Sequence, residues 1–304
     1  MQNSTDKGFG ILLLDKPENL TSHSAVSRVR RLFSTREVGH TGTLDPMATG
    51  LLVVLVGRAV KASEYFVDGD KRYTAKMRLG VTSDTQDIWG ELSYTNAEMP
   101  NESRVLDCAE RFCGDIMQIP PMYSALKRDG QKLVDLAREG KTVEREPRAV
   151  RVHSITAEKL ADNEYSLDVC CSKGTYIRTL CADIGEKLGC GAVMSALRRT
   201  AACNFSLDDA ITLEELENMN DDERYARLIP VERAFASLPS VRLPDFYATL
   251  AKSGNEIYLR KIGEDIECGT RVLLFDKNGF FAFGEVRAFA EGLAIKPIKQ
   301  IRLN

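Results

Sequence analysis

The sequence predicts an α+β protein: a mixed, largely antiparallel sheet, a basic insertion and a small C-terminal β domain. Three observations carry that expectation. Runs of strand length, apolar or alternating, are interleaved with amphipathic helical patterns from Gly10 to Phe205; Lys and Arg concentrate between Ser124 and Arg151; beyond Pro239 the chain changes to short strands and turns. At 304 residues and 43% hydrophobic composition, the chain can fill one large or two ordinary domains. The division expected is a core over 1–238, with the insertion at about 124–150, and a β domain over 239–304.

Taken in order, Gly10 to Leu14 reads as a buried strand ending at Asp15-Lys16-Pro17. Thr21 or Ser22 can cap a helix with Ala25, Val26, Val29, Leu32 and Phe33 on one face. Gly39 to Gly50 holds three glycines and a proline in twelve positions, which predicts a shaped loop ahead of an apolar strand, Leu51 to Val56. A helix is expected over Ala59 to Val67. Lys71 to Leu79 alternates, with Tyr73, Ala75, Met77 and Leu79 inward. Ser83 to Gly90 is turn-rich, and Ser103 to Phe112 is helical. Pro120-Pro121 opens the insertion, with a helix around Gln131 to Arg138. Tyr165 to Cys171 is a strand, Lys173 to Arg178 leads into a helix ending at Leu188, and a strand runs from about Leu197 to Phe205. The acidic stretch with Leu213, Leu216 and Met219 is helical. Lys277-Asn278-Gly279 between two apolar runs is a hairpin signal.

Charge and cysteine usage bound the function. A net charge of -3 hides an uneven distribution: Asn204 to Glu223 carries eight acids and no Lys or Arg, whereas Ser124 to Arg151 carries eight basic residues against five acids. A local basic patch suffices for phosphate binding, although solvated helix faces are the commoner origin of charge runs. Eight cysteines without a C-x-x-C pair, in a chain whose Met1 to Gly10 lacks the pattern of an export signal, are expected to be reduced and mostly buried. No apolar run is long enough to span a bilayer, so a cytoplasmic location and no membrane partner are expected. His23, His40 and His153 are scattered, and nucleotide-loop and metalloprotease motifs are absent, so neither a metal nor a cofactor is expected.

The chemistry concentrates in three separate elements, each offering one distinctive residue: Asp45 in the Gly39–Gly50 loop, Tyr73, and Arg178 beside Tyr176. On its loop alone, Asp45 reads more simply as an Asx-type turn. Tyr73 alone reads as strand core, Tyr176 as a packing residue at a helix start, and Arg178 as the partner of Asp183 or another surface acid. Together they form a different pattern. An arginine meeting Asp45 is expected to lower its pKa and hold it ionised. Chemistry at an anomeric carbon normally needs a second carboxyl group to protonate the leaving oxygen. One carboxylate suffices when the leaving group is a uracil, which departs as a delocalised anion and can be re-attached through another ring atom. A hydrolase using Ser22 or Ser24 with His23 lacks the G-x-S-x-G elbow.

Five motifs, in order, sharpen this: Gly39-His40-Thr41-Gly42-Thr43-Leu44-Asp45-Pro46 with Ala48 to Leu52, Asp70-Lys71-Arg72-Tyr73, Tyr123-Ser124-Ala125-Leu126-Lys127, Gly174-Thr175-Tyr176-Ile177-Arg178, and Leu197-Arg198-Arg199-Thr200. As a set they resemble the bacterial TruB-type tRNA pseudouridine synthases over residues 10 to about 205. The resemblance implies a cofactor-free isomerase that flips out the T-loop uridine of tRNA, position 55, and converts it to pseudouridine. It implies Asp45 as the catalytic aspartate, Tyr73 stacked on the target uracil and Arg178 paired with the aspartate. Tyr176 and Leu197 would line the uracil pocket, His40 would occupy the space left by the flipped nucleotide, and Lys16 matches a family lysine near the site. The insertion would close over the T arm, with Lys127, Arg128 and Lys132 on RNA phosphates, and the C-terminal part would be a PUA-like RNA-binding domain. The expected partner is the T arm of tRNA, with no obligatory protein partner and a monomeric enzyme. The chain departs from the family at Ala202-Cys203, where a glycine is expected and a positive φ would be costly. Two rivals share motifs: a guide-RNA-dependent synthase, which would need protein and RNA partners, and a non-catalytic RNA-binding module, which gives no reason for Asp45 beside Arg178.

Overall fold

A computed structural model describes residues 8–66, 69–128 and 130–302. Most of the Met1 to Gly10 stretch and the expected helix end at Val67 lie outside them. Among the described residues, a ten-stranded sheet forms the body of the protein, and a five-stranded sheet follows it in the chain. The expectation of a mixed, largely antiparallel sheet is borne out. Only two of its pairings are parallel: Gly10–Lys16 with Ile211–Thr212, and Thr49–Val56 with Ala192–Ala202.

The central order explains the burial. Thr49–Val56 lies between Gly10–Lys16 and Ala192–Ala202, and Lys71–Leu79 lies between Ala192–Ala202 and Glu164–Cys171. A strand covered on both faces reads as a continuous apolar run, which is why Leu51 to Val56 does not alternate. Lys71–Leu79 alternates because only one face is covered: Tyr73, Ala75, Met77 and Leu79 are buried, and they pack with Leu180 and Ile184 of the Ile177–Leu188 helix. Helix Ser22–Leu32 is capped by Thr21 through the Ser24 N–H, and it packs Ala25, Val26 and Val29 against Leu12 and Leu52. A third cluster joins the two sheets, with Leu13, Leu55 and Phe66 meeting Leu273 and Phe283. No helix among the described residues is long and apolar enough to cross a membrane.

Several boundaries differ from expectation. The irregular loop narrows to 41–48, because Val38–His40 and Thr49–Val56 pair as strands on either side of it. Gln131–Lys132 forms a short hairpin with Lys127–Arg128, and the insertion helix begins only at Leu133. The strand expected from Leu197 begins earlier, at Ala192, and stops at Ala202. Two main-sheet strands of five or more residues were not expected from the sequence. Arg148–Ala161 carries a register shift between Val152 and Ser154 that breaks its alternation, and Gly114–Gln118 is a five-residue edge strand. The residues Arg148 to Val150 thus belong to the main sheet, while the insertion has its own small core of Met122, Leu133 and Leu136.

At the family departure, Cys203 and Asn204 do adopt positive φ, 56° and 67°, to turn the chain back from Ala202 to Phe205. Cys203 tolerates this because its thiol is buried and donates to the Phe66 carbonyl at 3.0 Å. Of the eight cysteines, five are buried and none forms a disulfide.

Gly50, by contrast, has no substitute. It has φ +98° opposite Arg199 in the parallel pairing, and an added Cβ would lie 2.3 Å from the Arg199 carbonyl oxygen. Gly50→Ala is therefore expected to cost at least about 2 kcal/mol, from strained φ and displaced backbone together. A urea midpoint within error of the parent protein would show that the two strands can separate without loss.

Candidate active site

The loop carrying Asp45 is pinned on three sides before any substrate arrives. Ser22 both accepts from the Leu44 N–H, at 2.8 Å, and donates to the Leu44 carbonyl, at 3.0 Å. The Thr41 N–H donates to the Val53 carbonyl, and the ammonium of Lys16, wholly buried, donates to the carbonyls of Pro17, Leu20 and Pro46. Burial lowers the Lys16 pKa to about 8. Lys16 therefore acts from beneath, holding the peptide that follows Asp45.

The Asp45 carboxylate meets Arg178, with Nη2 at 3.3 Å from Oδ1 and 3.2 Å from Oδ2. Arg178 is the second residue of helix Ile177–Leu188, and its side chain is only 7% exposed. The same guanidinium approaches Asp87 at 3.6 Å and donates to the Tyr123 carbonyl at 2.8 Å. The pKa of Asp45 is raised, so the expected net lowering is not met: burial is the largest cause and outweighs Arg178, which lowers the pKa as expected, while the Asp87 charge adds to the upward push. The side chain of Asp45 still keeps 32% of its surface open to the cleft above it.

Above the pair opens a cleft of about 470 Å³ whose walls include Asp45, Tyr73, Tyr176, Leu197 and Arg199. Tyr73 is buried, its phenol pKa is raised by that burial, and Arg199 hydrogen-bonds its hydroxyl. Arg199 is itself buried, donating from Nε to the Leu51 carbonyl at 2.7 Å and from Nη2 to the Gly42 carbonyl at 3.0 Å. It thus ties the far end of the loop to the strand that follows. Lys132 reaches the cleft from the insertion, whereas Lys127 and Arg128 line a second groove beneath it, where Arg128 donates to the Glu144 carbonyl. His40 stands beside the loop on the Val38–His40 strand, with Nδ1 buried and unpartnered. Burial first, then Arg199 and His23, lowers its pKa, so the ring is neutral at neutral pH.

Asp87, Arg199 and Gln118 are the residues that sequence reasoning passed over. Asp87 looked like one more acid in a turn, yet it is 5% exposed and accepts from Thr85 Oγ1 and the Trp89 N–H. An acid followed two residues later by the chain's single tryptophan was the available signal. Among the described residues no cluster of His, Cys, Asp and Glu has metal-binding geometry.

A mixed sheet brings an aspartate loop, an inward tyrosine and a buried arginine to one cleft, and the class of this protein, the pseudouridylate synthases, is given by comparison with known families. The family pattern for the TruB family pseudouridylate synthase N-terminal domain matches residues 30–177, and that for the tRNA pseudouridylate synthase B C-terminal domain matches residues 178–236. The chain is 45% identical over 271 residues to the tRNA pseudouridine synthase B of Burkholderia mallei, covering 88% of this chain and 90% of the relative. It is 48% identical over 250 residues to that of Dechloromonas aromatica, covering 82% and 84%. A solved Cbf5-Nop10-Gar1 complex contains a chain of similar fold, with TM-score 0.72 and 26% identity over 97% of this chain and 85% of that one. The chain belongs to the TruB family of pseudouridylate synthases and is an isomerase.

Because both side chains of the Arg178–Asp87 pair are at most 8% exposed, removing Asp87 takes away one of the two carboxylates that balance a buried guanidinium. Asp87→Ala should lower stability by about 3 kcal/mol in urea unfolding with an unchanged m-value. A loss under about 1 kcal/mol would mean that Asp45 alone satisfies the guanidinium.

Proposed function

We propose that the enzyme isomerises the T-loop uridine of tRNA to pseudouridine after flipping it into the cleft, with Asp45 as the catalytic carboxylate. The observation that carries this is the Asp45–Arg178 contact beneath a cleft walled by Tyr73, Tyr176 and Leu197. Such a cleft offers a charged floor to C1′ and apolar or aromatic walls to a base. Flipping costs a few kcal/mol, least for a loop nucleotide outside a duplex. Arg178 keeps a carboxylate available despite its burial. Asp45 then either attacks C1′, breaking the bond to N1, and is displaced when C5 bonds to C1′, or takes the C2′ proton and returns it as C5 bonds to C1′. In both cases uracil leaves as an anion and turns before the new bond forms, C5 then loses its proton, and N1 gains one. No metal, nucleotide or redox partner enters that balance.

In this reading Lys132 meets RNA phosphate at the cleft mouth and Lys127 and Arg128 do so beneath the insertion, while Lys16 and His40 support the loop. The insertion closes on the T arm, and the sheet over 239–304 is a PUA-like RNA-binding unit beyond the family-matched residues. The enzyme acts as a monomer without a guide RNA. Incubating the purified protein alone with unmodified tRNA tests the reading: pseudouridine in the T loop is expected. Under the same conditions Asp45→Asn should bind tRNA normally and form none, and turnover near the parent rate would remove Asp45 from the mechanism.

Tyr73 tests the last proton. Burial keeps its phenol neutral, so any part in removing the C5 proton depends on the Arg199 contact. Tyr73→Phe keeps the stacking face and should bind tRNA normally while releasing tritium from 5-tritiated uridine much more slowly; Tyr73→Leu should also lose affinity for the flipped base. Parent-rate tritium release from the Phe variant would confine Tyr73 to stacking.

A further inference from the structure

Gln118 is the last residue of the edge strand Gly114–Gln118 and is 1% exposed. Its side-chain amide makes two hydrogen bonds to one residue: Nε2 donates to the Tyr176 carbonyl at 3.0 Å, and Oε1 accepts from the Tyr176 N–H at 2.9 Å. A primary amide presents a donor and an acceptor side by side, so it engages a residue's backbone as a neighbouring strand would. Tyr176 occupies the N-cap position of helix Ile177–Leu188, has extended backbone (φ -98°, ψ 109°) and supplies no side-chain cap. The backbone of this wall residue, two positions before Arg178, is therefore held by a side chain 58 residues away.

The chain beyond Gln118 reinforces the arrangement. Ile119, Pro120 and Pro121 lead into the insertion, and proline has no N–H with which to make a ladder of its own. Two residues later the Tyr123 carbonyl accepts from Arg178. The root of the insertion is thus fastened to the start of the helix at both Tyr176 and Arg178.

We propose that Gln118 is a positioning residue for isomerisation, setting the Tyr176 ring against the flipped uracil by clamping its backbone from the root of the insertion. This rests on the pseudouridine reading and deepens it. The amide's two functions are separable by chemistry. Leu removes both bonds. Glu keeps the acceptor for the Tyr176 N–H but, when ionised, sets a charge against the Tyr176 carbonyl; protonated, it regains a donor.

The test uses the full-length enzyme and transcribed tRNA, measuring single-turnover pseudouridine formation, tRNA affinity and melting temperature for Gln118→Leu and Gln118→Glu, with and without Tyr176→Leu. Gln118→Leu should slow single turnover about tenfold while tRNA affinity stays within about twofold, because the basic insertion and the C-terminal sheet are untouched. In the Tyr176→Leu background the same change should cost less than about threefold, the non-additivity expected of residues that act as one unit. For Gln118→Glu, the rate relative to the parent enzyme should rise as pH falls and the carboxyl regains its donor; this arm also holds if the Leu variant fails to fold. Rates of both variants within about twofold of the parent would overturn the proposal, as would equal losses in both backgrounds, which signal a general structural role. A parent enzyme that makes no pseudouridine would overturn the functional reading and this inference with it. An active parent with indifferent Gln118 variants would overturn the inference alone.

Discussion

The buried guanidinium of Arg178 is the constraint around which the catalytic half is arranged. A cation with only 7% of its side chain exposed is tolerable only when its charge is matched. The matching groups come from three remote segments: the Asp45 loop, the Asp87 turn and the insertion root at Tyr123. Each of these segments is irregular, and each is fixed by the sheet on which it rests. Burial and charge pairing pull Asp45 in opposite directions. The fold leaves the carboxylate harder to ionise than an ordinary aspartate.

Legibility in the sequence followed the kind of physics involved. Lys71–Leu79 could be read because local alternation reports burial directly, and the helix at Ile177–Leu188 because one face is apolar. Asp45, Tyr73 and Arg178 stood out because glycine-rich or alternating surroundings isolate them. Arg148–Ala161 could not be read in the same way, since its bulge near His153 shifts the apolar positions out of step. Asp87, Arg199 and Gln118 were hidden for a different reason: their roles are contacts with partners distant in the chain, an ion pair with Arg178 for Asp87 and hydrogen bonds for Arg199 and Gln118. The direction of the Asp45 shift was likewise beyond the sequence, because charge partners can be guessed from motifs while burial emerges only from packing.

The turn at Cys203 illustrates how a residue bearing a Cβ can hold a positive φ. The turn keeps positive φ at Cys203 and Asn204, a conformation that costs roughly 1–2 kcal/mol for a residue bearing a Cβ. The thiol's contact with the Phe66 carbonyl offsets part of that cost and joins the turn to the helix whose Phe66 packs between the two sheets. The turn therefore retains its shape through a side-chain contact where glycine would have relied on freedom alone.

The parallel pairing of Gly50 with Arg199 also bears on how the protein is made. The Gly42 and Leu51 carbonyls find their donor in Arg199, which lies 148 positions after Leu51 in the chain. During synthesis the loop that carries Asp45 leaves the ribosome long before the strand that braces it, and contacts of such long range form late in folding. A nascent chain ending short of Arg199 therefore lacks an assembled cleft, which forms only once the strand Ala192–Ala202 has been threaded between its two neighbours.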